Sequence, residues 1–129
     1  MSDIPAELRY TAEHEWVRVD DAEHVTVGIT HYAQDSLGDI VFVSLPENGE
    51  EVKAGQSCGE VESTKSVSEL FAPLDGRVLE VNESLESDPA VINSEPYGAG
   101  WLMRLTVSEP SQIDGLLSAS EYEGMTQGS

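Results

Sequence analysis

The sequence predicts a mostly β fold, a small sandwich or barrel with short helices, one of them near the C-terminus. Three observations carry this expectation. Apolar residues fall in short runs separated by turn signals, the pattern of many brief strands. Two similar segments, "VKAGQSCGEVES" and "APLDGRVLEVNES", each set a Gly before a short strand that ends in Glu-Val with a Ser nearby, a faint internal repeat that fits two matching strand pairs. Helical spacing is confined to short stretches, the last of them Ile113, Leu116 and Leu117. The 129 residues predict a single domain over 1–129, with about 122–129 a frayed tail.

Taken in order, "EWVRV" (15–19) alternates weakly and reads as a strand, and "VTVGI" (25–29) as the next. "THYAQDSLG" (30–38) reads as a short helix that Thr30 caps at its start and Gly38 at its end. "DIVFVSL" (39–45) is the strongest strand; apolar residues on both of its faces predict burial on both sides. Asn48-Gly49 in "PENGEEV" signals a type I′ turn. "EVES" and "SVSELF" alternate on either side of a polar Thr64-Lys65 break, which predicts a hairpin with Thr64-Lys65 at its tip. No Gly or Asn stands at the break, so the turn is not the favoured primed pair. "SDPAVINSEPYGAG" reads as a helical turn and loop, and "WLMRLTV" (101–107) as the last strand. In "SEPSQIDGLLSA", Ser108 as cap and Pro110 in the first turn predict a terminal helix.

Composition narrows the functions open to the chain. A net charge of −19 repels nucleic-acid phosphates and anionic membranes and favours basic patches on partner proteins. The start, "MSDIPAELRY", has neither the basic nor the apolar region of a signal peptide, and no apolar run reaches the ~20 residues of a membrane span. One cysteine, Cys58, excludes a disulfide framework and any dithiol chemistry by the protein's own side chains, and predicts a cytoplasmic protein. Cys58 itself reads as a small buried hydrophobe. His14, His24 and His31 have no recognised metal-ligand spacing, no glycine-rich phosphate cradle follows a strand, and no G-x-S-x-G elbow occurs.

Lys65 is the residue that invites a functional reading. It is the only basic residue between Lys53 and Arg77, an interval it shares with Glu60, Glu62, Glu69 and Asp75. Gly55 lies ten residues before it and Gly76 eleven after, so its flanks are nearly symmetric. The bland reading is a solvated lysine that blunts a hairpin edge. The sharper one is a projecting amine that an external enzyme finds by shape and acylates. A catalytic lysine fits less well, because a nucleophilic lysine needs desolvation or a cationic neighbour, and the carboxylates here favour the charged form.

Around that lysine the chain resembles a known family. "HEW" (14–16), "GITHYAQDSLGDIVFVSLP" (28–46), "GEVESTKS" (59–66), "VNESL" (81–85), "INSEPYGAGW" (92–101) and "LLSASEYE" follow the order of the glycine cleavage H proteins over nearly the whole chain. "INSEPYGAGW" is the part that generic lipoyl modules lack. Ser66 departs from the alanine that family members often carry after the lysine, and the region around His31 varies too. The resemblance implies a lipoyl-type barrel-sandwich hybrid with lipoate amide-linked to Lys65. It implies a carrier and not an enzyme, one that takes an aminomethyl group from glycine decarboxylase (P protein) to aminomethyltransferase (T protein). Dihydrolipoyl dehydrogenase (L protein) then reoxidises the dithiol, and a lipoate ligase or transferase installs it. It implies no nucleic-acid or membrane partner. The borrowed dithiol agrees with the single cysteine. The rival reading is a lipoyl carrier or relay for another multienzyme complex. Glu13, Glu15 and Glu69 are, on the resemblance, candidates for a cleft that shelters the cationic cargo; as isolated residues they read as solvated surface carboxylates.

Overall fold

The computed structural model describes residues 4–127. Its strands are β1 (Arg9–Tyr10), β2 (Glu15–Val19), β3 (His24–Ile29), β4 (Ile40–Ser44), β5 (Glu51–Val52), β6 (Ser57–Ser63), β7 (Val67–Phe71), β8 (Gly76–Val81) and β9 (Met103–Val107). Helix α1 spans His31–Leu37, α2 Val91–Ser94 and α3 Ala119–Gln127, with 3₁₀ turns at Glu83–Glu86 and Pro110–Gly115. A six-stranded sheet runs β1-β2-β3-β9-β8-β5 and a three-stranded sheet β4-β6-β7, with every recorded pairing antiparallel. Both sheets feed one apolar core: Val17, Val27 and Leu105 meet Ile40, Val61 and Leu70. The fold is mostly strand, two sheets with short helices, as the sequence predicts.

β3 lies third in the larger sheet and is buried along Val25–Ile29, Thr26 included, which is why its apolar residues do not simply alternate with polar ones. Its Gly28 is a packing requirement: a β carbon there would sit 2.5 Å from the indole ring of Trp16 on β2. Trp16 is itself fully buried, and its Nε1–H donates to the Pro96 carbonyl at 2.9 Å. Helix α1 has the predicted ends. The Thr30 hydroxyl accepts from the Ala33 N–H at 3.2 Å, and Gly38, at φ 85°, donates its N–H to the Gln34 carbonyl.

Four expectations are corrected. β4 is not buried on both faces, since Val41 is 48% and Phe42 56% exposed. Ile40 pairs with Ser63 and Phe42 with Glu62, so Val41 is an extra residue, a β-bulge that turns apolar side chains outward on the open face of the small sheet. Asn48-Gly49 is not a type I′ turn. That turn needs positive φ at both centres, and here Gly49 has φ 87° while the only described non-glycine with positive φ is His14. The segment links β4 and β5, which belong to different sheets and do not pair, so hairpin geometry does not apply. The terminal helix does not start at Ser108: a 3₁₀ turn fills 110–115, and α3 begins only at Ala119.

The fourth correction is the tail. Residues 122–127 are helical, and residues 128–129 lie outside the described residues. Tyr122 is fully buried, stacked on Tyr10 at 4.8 Å, and its hydroxyl contacts the Thr30 hydroxyl at 2.7 Å and His14 Nδ1 at 2.8 Å. One threonine therefore caps α1 and anchors α3. Thr30→Ala removes the cap and one partner of a buried phenol, and an expected loss of about 1–2 kcal/mol follows. A denaturant midpoint that falls in Thr30→Ala and largely recovers in Thr30→Ser, at unchanged slope, checks this. An unshifted midpoint would remove Thr30 from that role.

Candidate functional site

The hairpin tip is built by Ser63. Its N–H donates to the Ser66 carbonyl at 2.8 Å and closes the turn around Thr64-Lys65. Its hydroxyl, on a side chain that is nearly buried, accepts from the Lys65 N–H at 3.3 Å and the Ser66 N–H at 3.1 Å, and donates to the Ser66 carbonyl at 3.1 Å. A serine hydroxyl that gathers local backbone donors offers a turn geometry without Gly or Asn. The tip is also held from outside, because the Thr64 N–H donates to the Asp39 carbonyl at 3.1 Å. Lys65 is exposed, and no ion pair among the described residues engages it. Its stem crosses Gly38, where an added β carbon would sit 3.4 Å from Lys65 Cε.

The segment under the tip is fixed by a residue that sequence reasoning did not single out. Asn93 of α2 accepts the Ile40 N–H at 2.9 Å, and its amide nitrogen donates to Gln34 Oε1 and to the Gly38 carbonyl, each at 2.9 Å. One half-buried amide thus ties α1, β4 and α2 together behind the lysine. The "INS" run was visible as a motif, but its task depends on contacts more than 50 positions away.

The acidic candidates separate. Glu15 is 2% exposed, so its reading as a solvated carboxylate is overturned. Its Oε2 accepts the Phe71 N–H at 2.7 Å, and its Oε1 faces the Thr11 hydroxyl at 3.4 Å. Burial pushes its carboxyl up to about 8, against the pull of the Phe71 N–H. Glu13 is exposed, and with Glu15 it lines a pocket of about 340 Å³ walled by Tyr10, Thr11, Phe71 and Leu117. Glu69 does not line that pocket. It lies exposed on β7, two residues before Phe71, where Ser57 Oγ donates to it at 3.1 Å. The structure therefore brings Glu13 and Glu15 together and leaves Glu69 between the lysine tip and the pocket.

The pocket wall was also unforeseen. His14 adopts φ 67°, a conformation uncommon for non-glycine residues, in the turn that leads from β1 into β2 at Glu15. The Thr11 hydroxyl accepts from the Glu13 and Glu15 N–H groups at 3.3 Å each, and the His14 carbonyl accepts from Thr30 N–H at 3.0 Å. Burial holds His14 below the usual imidazole range, against the pull of Glu13. On β6, the Cys58 thiol is pushed up to about 12 by burial, then by Glu15 and Glu50, which makes it an inert thiol beside the site. Chemically, the arrangement offers a projecting amine before the start of β7 and, on β2 against Phe71 at the end of β7, a sheltered carboxyl in an apolar pocket.

Known proteins share this plan. The family model described as Glycine cleavage H-protein matches residues 8–129. The glycine cleavage system H protein of Mycobacterium avium (strain 104) is 57% identical over 128 residues, covering 96% of this chain and 97% of its own. That of Symbiobacterium thermophilum is 50% identical over 127 residues, covering 98% of each chain. The crystal structure of a glycine cleavage system H protein from Mycobacterium marinum is similar with a TM-score of 0.89 at 50% identity, covering 96% of this chain and 99% of that one.

Proposed function

The chain belongs to the glycine cleavage H-protein family, and on that premise we propose that Lys65 is the residue to which its lipoyl group is amide-linked. The protein is a non-catalytic lipoyl carrier of the glycine cleavage system, moving an aminomethyl group from glycine decarboxylase to aminomethyltransferase and presenting the dithiol to dihydrolipoyl dehydrogenase. A lipoate ligase or transferase is the partner that modifies it, and its working place is the cytoplasm, where a lone thiol such as Cys58 stays reduced.

The observation that carries the Lys65 assignment is an exposed amine, free of ion pairs among the described residues, at the apex of a turn pinned by Ser63 and Asp39. Lipoate, when attached, supplies the disulfide and dithiol chemistry that a chain with one cysteine lacks. The residues present suit that group in reach as well as in chemistry. An extended lysyl–lipoyl side chain of roughly eleven bonds spans about 14 Å. Along a strand that length covers about four residues, so an arm laid back along β7 would bring its end near Glu69, toward the Glu15 pocket. In the attachment step, Lys65 Nζ bonds to the carbonyl carbon of an activated lipoate, the activating group leaves, and Nζ gives up two protons. The incoming enzyme supplies the base that takes them. The pocket then shelters the cargo from water.

Intact mass of the natively expressed protein, followed by glycine–bicarbonate exchange with the decarboxylase, tests this reading. One lipoyl group at Lys65 and support of the exchange are expected; modification elsewhere, or none, would overturn it. Position matters as well as identity. Lys65→Ser with Ser66→Lys keeps composition and charge, but it moves the amine off Gly38 and turns it toward the other face of β7. Lipoylation slower by about 10-fold to 100-fold is expected, the usual cost of misplacing a reacting atom. Equal rates in a timed mass assay would mean that the tip's geometry is not read.

A further inference from the structure

Among the described residues, six large apolar side chains are conspicuously exposed: Val19, Tyr32, Val41, Phe42, Val67 and Leu79. Scattered single ones are ordinary, but three of these six share one place. Phe42 pairs with Glu62, and Glu62 with Val67, so the three form a row across the outer face of the small sheet. With strands about 4.8 Å apart, Phe42 and Val67 stand ~10 Å from each other. Val41 joins them because of the bulge, and Val67 is two residues past Lys65. Bulges are devices that re-aim side chains near functional sites. Here the device places apolar surface beside the lysine at the cost of a strand that could have been buried.

The charge around this row has one sign. Glu62 lies within it, Glu60 and Glu69 pair in the next row, and none of the three engages in an ion pair among the described residues. Phe42 also walls a groove of about 570 Å³ whose rim bears Glu47, Glu83 and Glu86. An apolar centre within an acidic rim fits an apolar anchor bracketed by Lys or Arg.

We propose that Val41, Phe42 and Val67, with Glu62 between them, form the docking surface for the enzyme that attaches the lipoyl group to Lys65. This rests on Lys65 being the attachment residue. The choice among partners follows from which atom reacts. The attaching enzyme works at Nζ, so its footprint centres on the tip. The enzymes that act on the far end of the arm would react about 14 Å from the Lys65 backbone, so their footprints need not centre on the tip.

The test measures lipoylation by a lipoate ligase at saturating lipoate and ATP, with the unmodified carrier varied. Phe42→Ser and Val67→Ser are expected to raise KM for the carrier by at least about fivefold with kcat little changed. Phe42→Leu, which keeps an apolar anchor, is expected to stay near wild type. The serine variants, modified to completion by long incubation, are expected to be reoxidised by dihydrolipoyl dehydrogenase at the normal KM. An unchanged carrier KM in the serine variants, or a fall in kcat alone, would overturn the docking surface. An equal loss with the dehydrogenase would overturn the choice of partner. A wild-type carrier that takes no lipoyl group at Lys65 overturns the attachment reading itself, an outcome distinct from the others.

Discussion

Lys65→Arg is expected to leave the fold intact and to abolish both lipoylation and glycine cleavage. Every hydrogen bond that shapes the tip uses the Ser63 hydroxyl or main-chain groups: Ser63 with Ser66, Lys65 N–H with Ser63, Thr64 N–H with Asp39. None uses the lysine ammonium, so its replacement leaves the turn unaltered. The side chain is exposed and its stem crosses a glycine, so arginine's aliphatic stem meets no new obstacle. A surface change of this kind moves stability by within ~0.5 kcal/mol. Charge is kept, so electrostatic steering is unchanged. What is lost is the acyl acceptor: a guanidinium stays protonated and delocalised at any working pH and does not take an acyl group from a lipoate ligase. Intact mass, glycine–bicarbonate exchange and a melting curve read the three quantities together. Residual lipoylation or exchange in Lys65→Arg would end the assignment. A large fall in melting temperature would show that the tip depends on the ammonium in a way these bonds do not.

The parts of this molecule legible in the sequence are those whose causes are local. The hairpin around Lys65 follows from two alternating runs and a two-residue break, and α1 from Thr30 and Gly38, because caps act within one turn of helix. The failures arise where a distant partner decides. "DIVFVSL" reads as buried because its composition is apolar, yet the bulge that exposes Val41 and Phe42 is a property of pairing with β6, and no residue of β4 announces it. The segment from about 122 to 129 reads as a frayed tail because it is short, polar and terminal. It is held by Tyr122 against Tyr10, His14 and Thr30, contacts spanning 92 positions and more. Glu15 reads as a surface acid because carboxylates usually are. Its neighbours Trp16 and Val17 are both buried, so β2 enters the interior with both faces and alternation carries no signal there. The resemblance to H proteins pointed at Glu15 by position, while its burial, which raises its carboxyl, follows from packing.

That buried state changes what Glu15→Gln should do. The carboxyl has an ordinary value of 4.5 and about 8 in the fold, raised first by burial. Among the described residues, the titratable groups around it do not supply a cation. Glu13 from the β1–β2 turn is an acid, Cys58 on β6 and Tyr10 on β1 stay protonated, and His14 is held toward its neutral form. Below about pH 4.5 the carboxyl is protonated in both folded and unfolded chains, and its contribution to stability is fully present. As pH rises from 4.5 to 8, the unfolded chain ionises while the fold holds its proton, so the wild type loses stability over that window and levels off above it. Glutamine cannot ionise and still offers an oxygen to the Phe71 N–H. Glu15→Gln is therefore expected to match the wild type in acid and to exceed it, by on the order of a few kcal/mol, above pH 8. The same balance governs the cationic cargo. Pairing with an ammonium calls for an ionised Glu15, at about 1.4 kcal/mol for the single pH unit between 7 and 8. The charge-assisted bond exceeds a neutral one by roughly 1 kcal/mol, so at pH 7 the two terms nearly cancel and the variant should hold aminomethyl cargo about as long as the wild type. Above pH 8 the ionisation cost vanishes, and the wild type should hold it several-fold longer. Denaturant midpoints across pH 4 to 9 check the first result and require no lipoyl group. Decay of the aminomethyl-loaded protein at pH 7 and pH 9, followed by mass, checks the second. A pH-independent gap in stability would show that Glu15 does not titrate in the fold. Equal decay at pH 9 would show that the cargo does not meet this carboxylate.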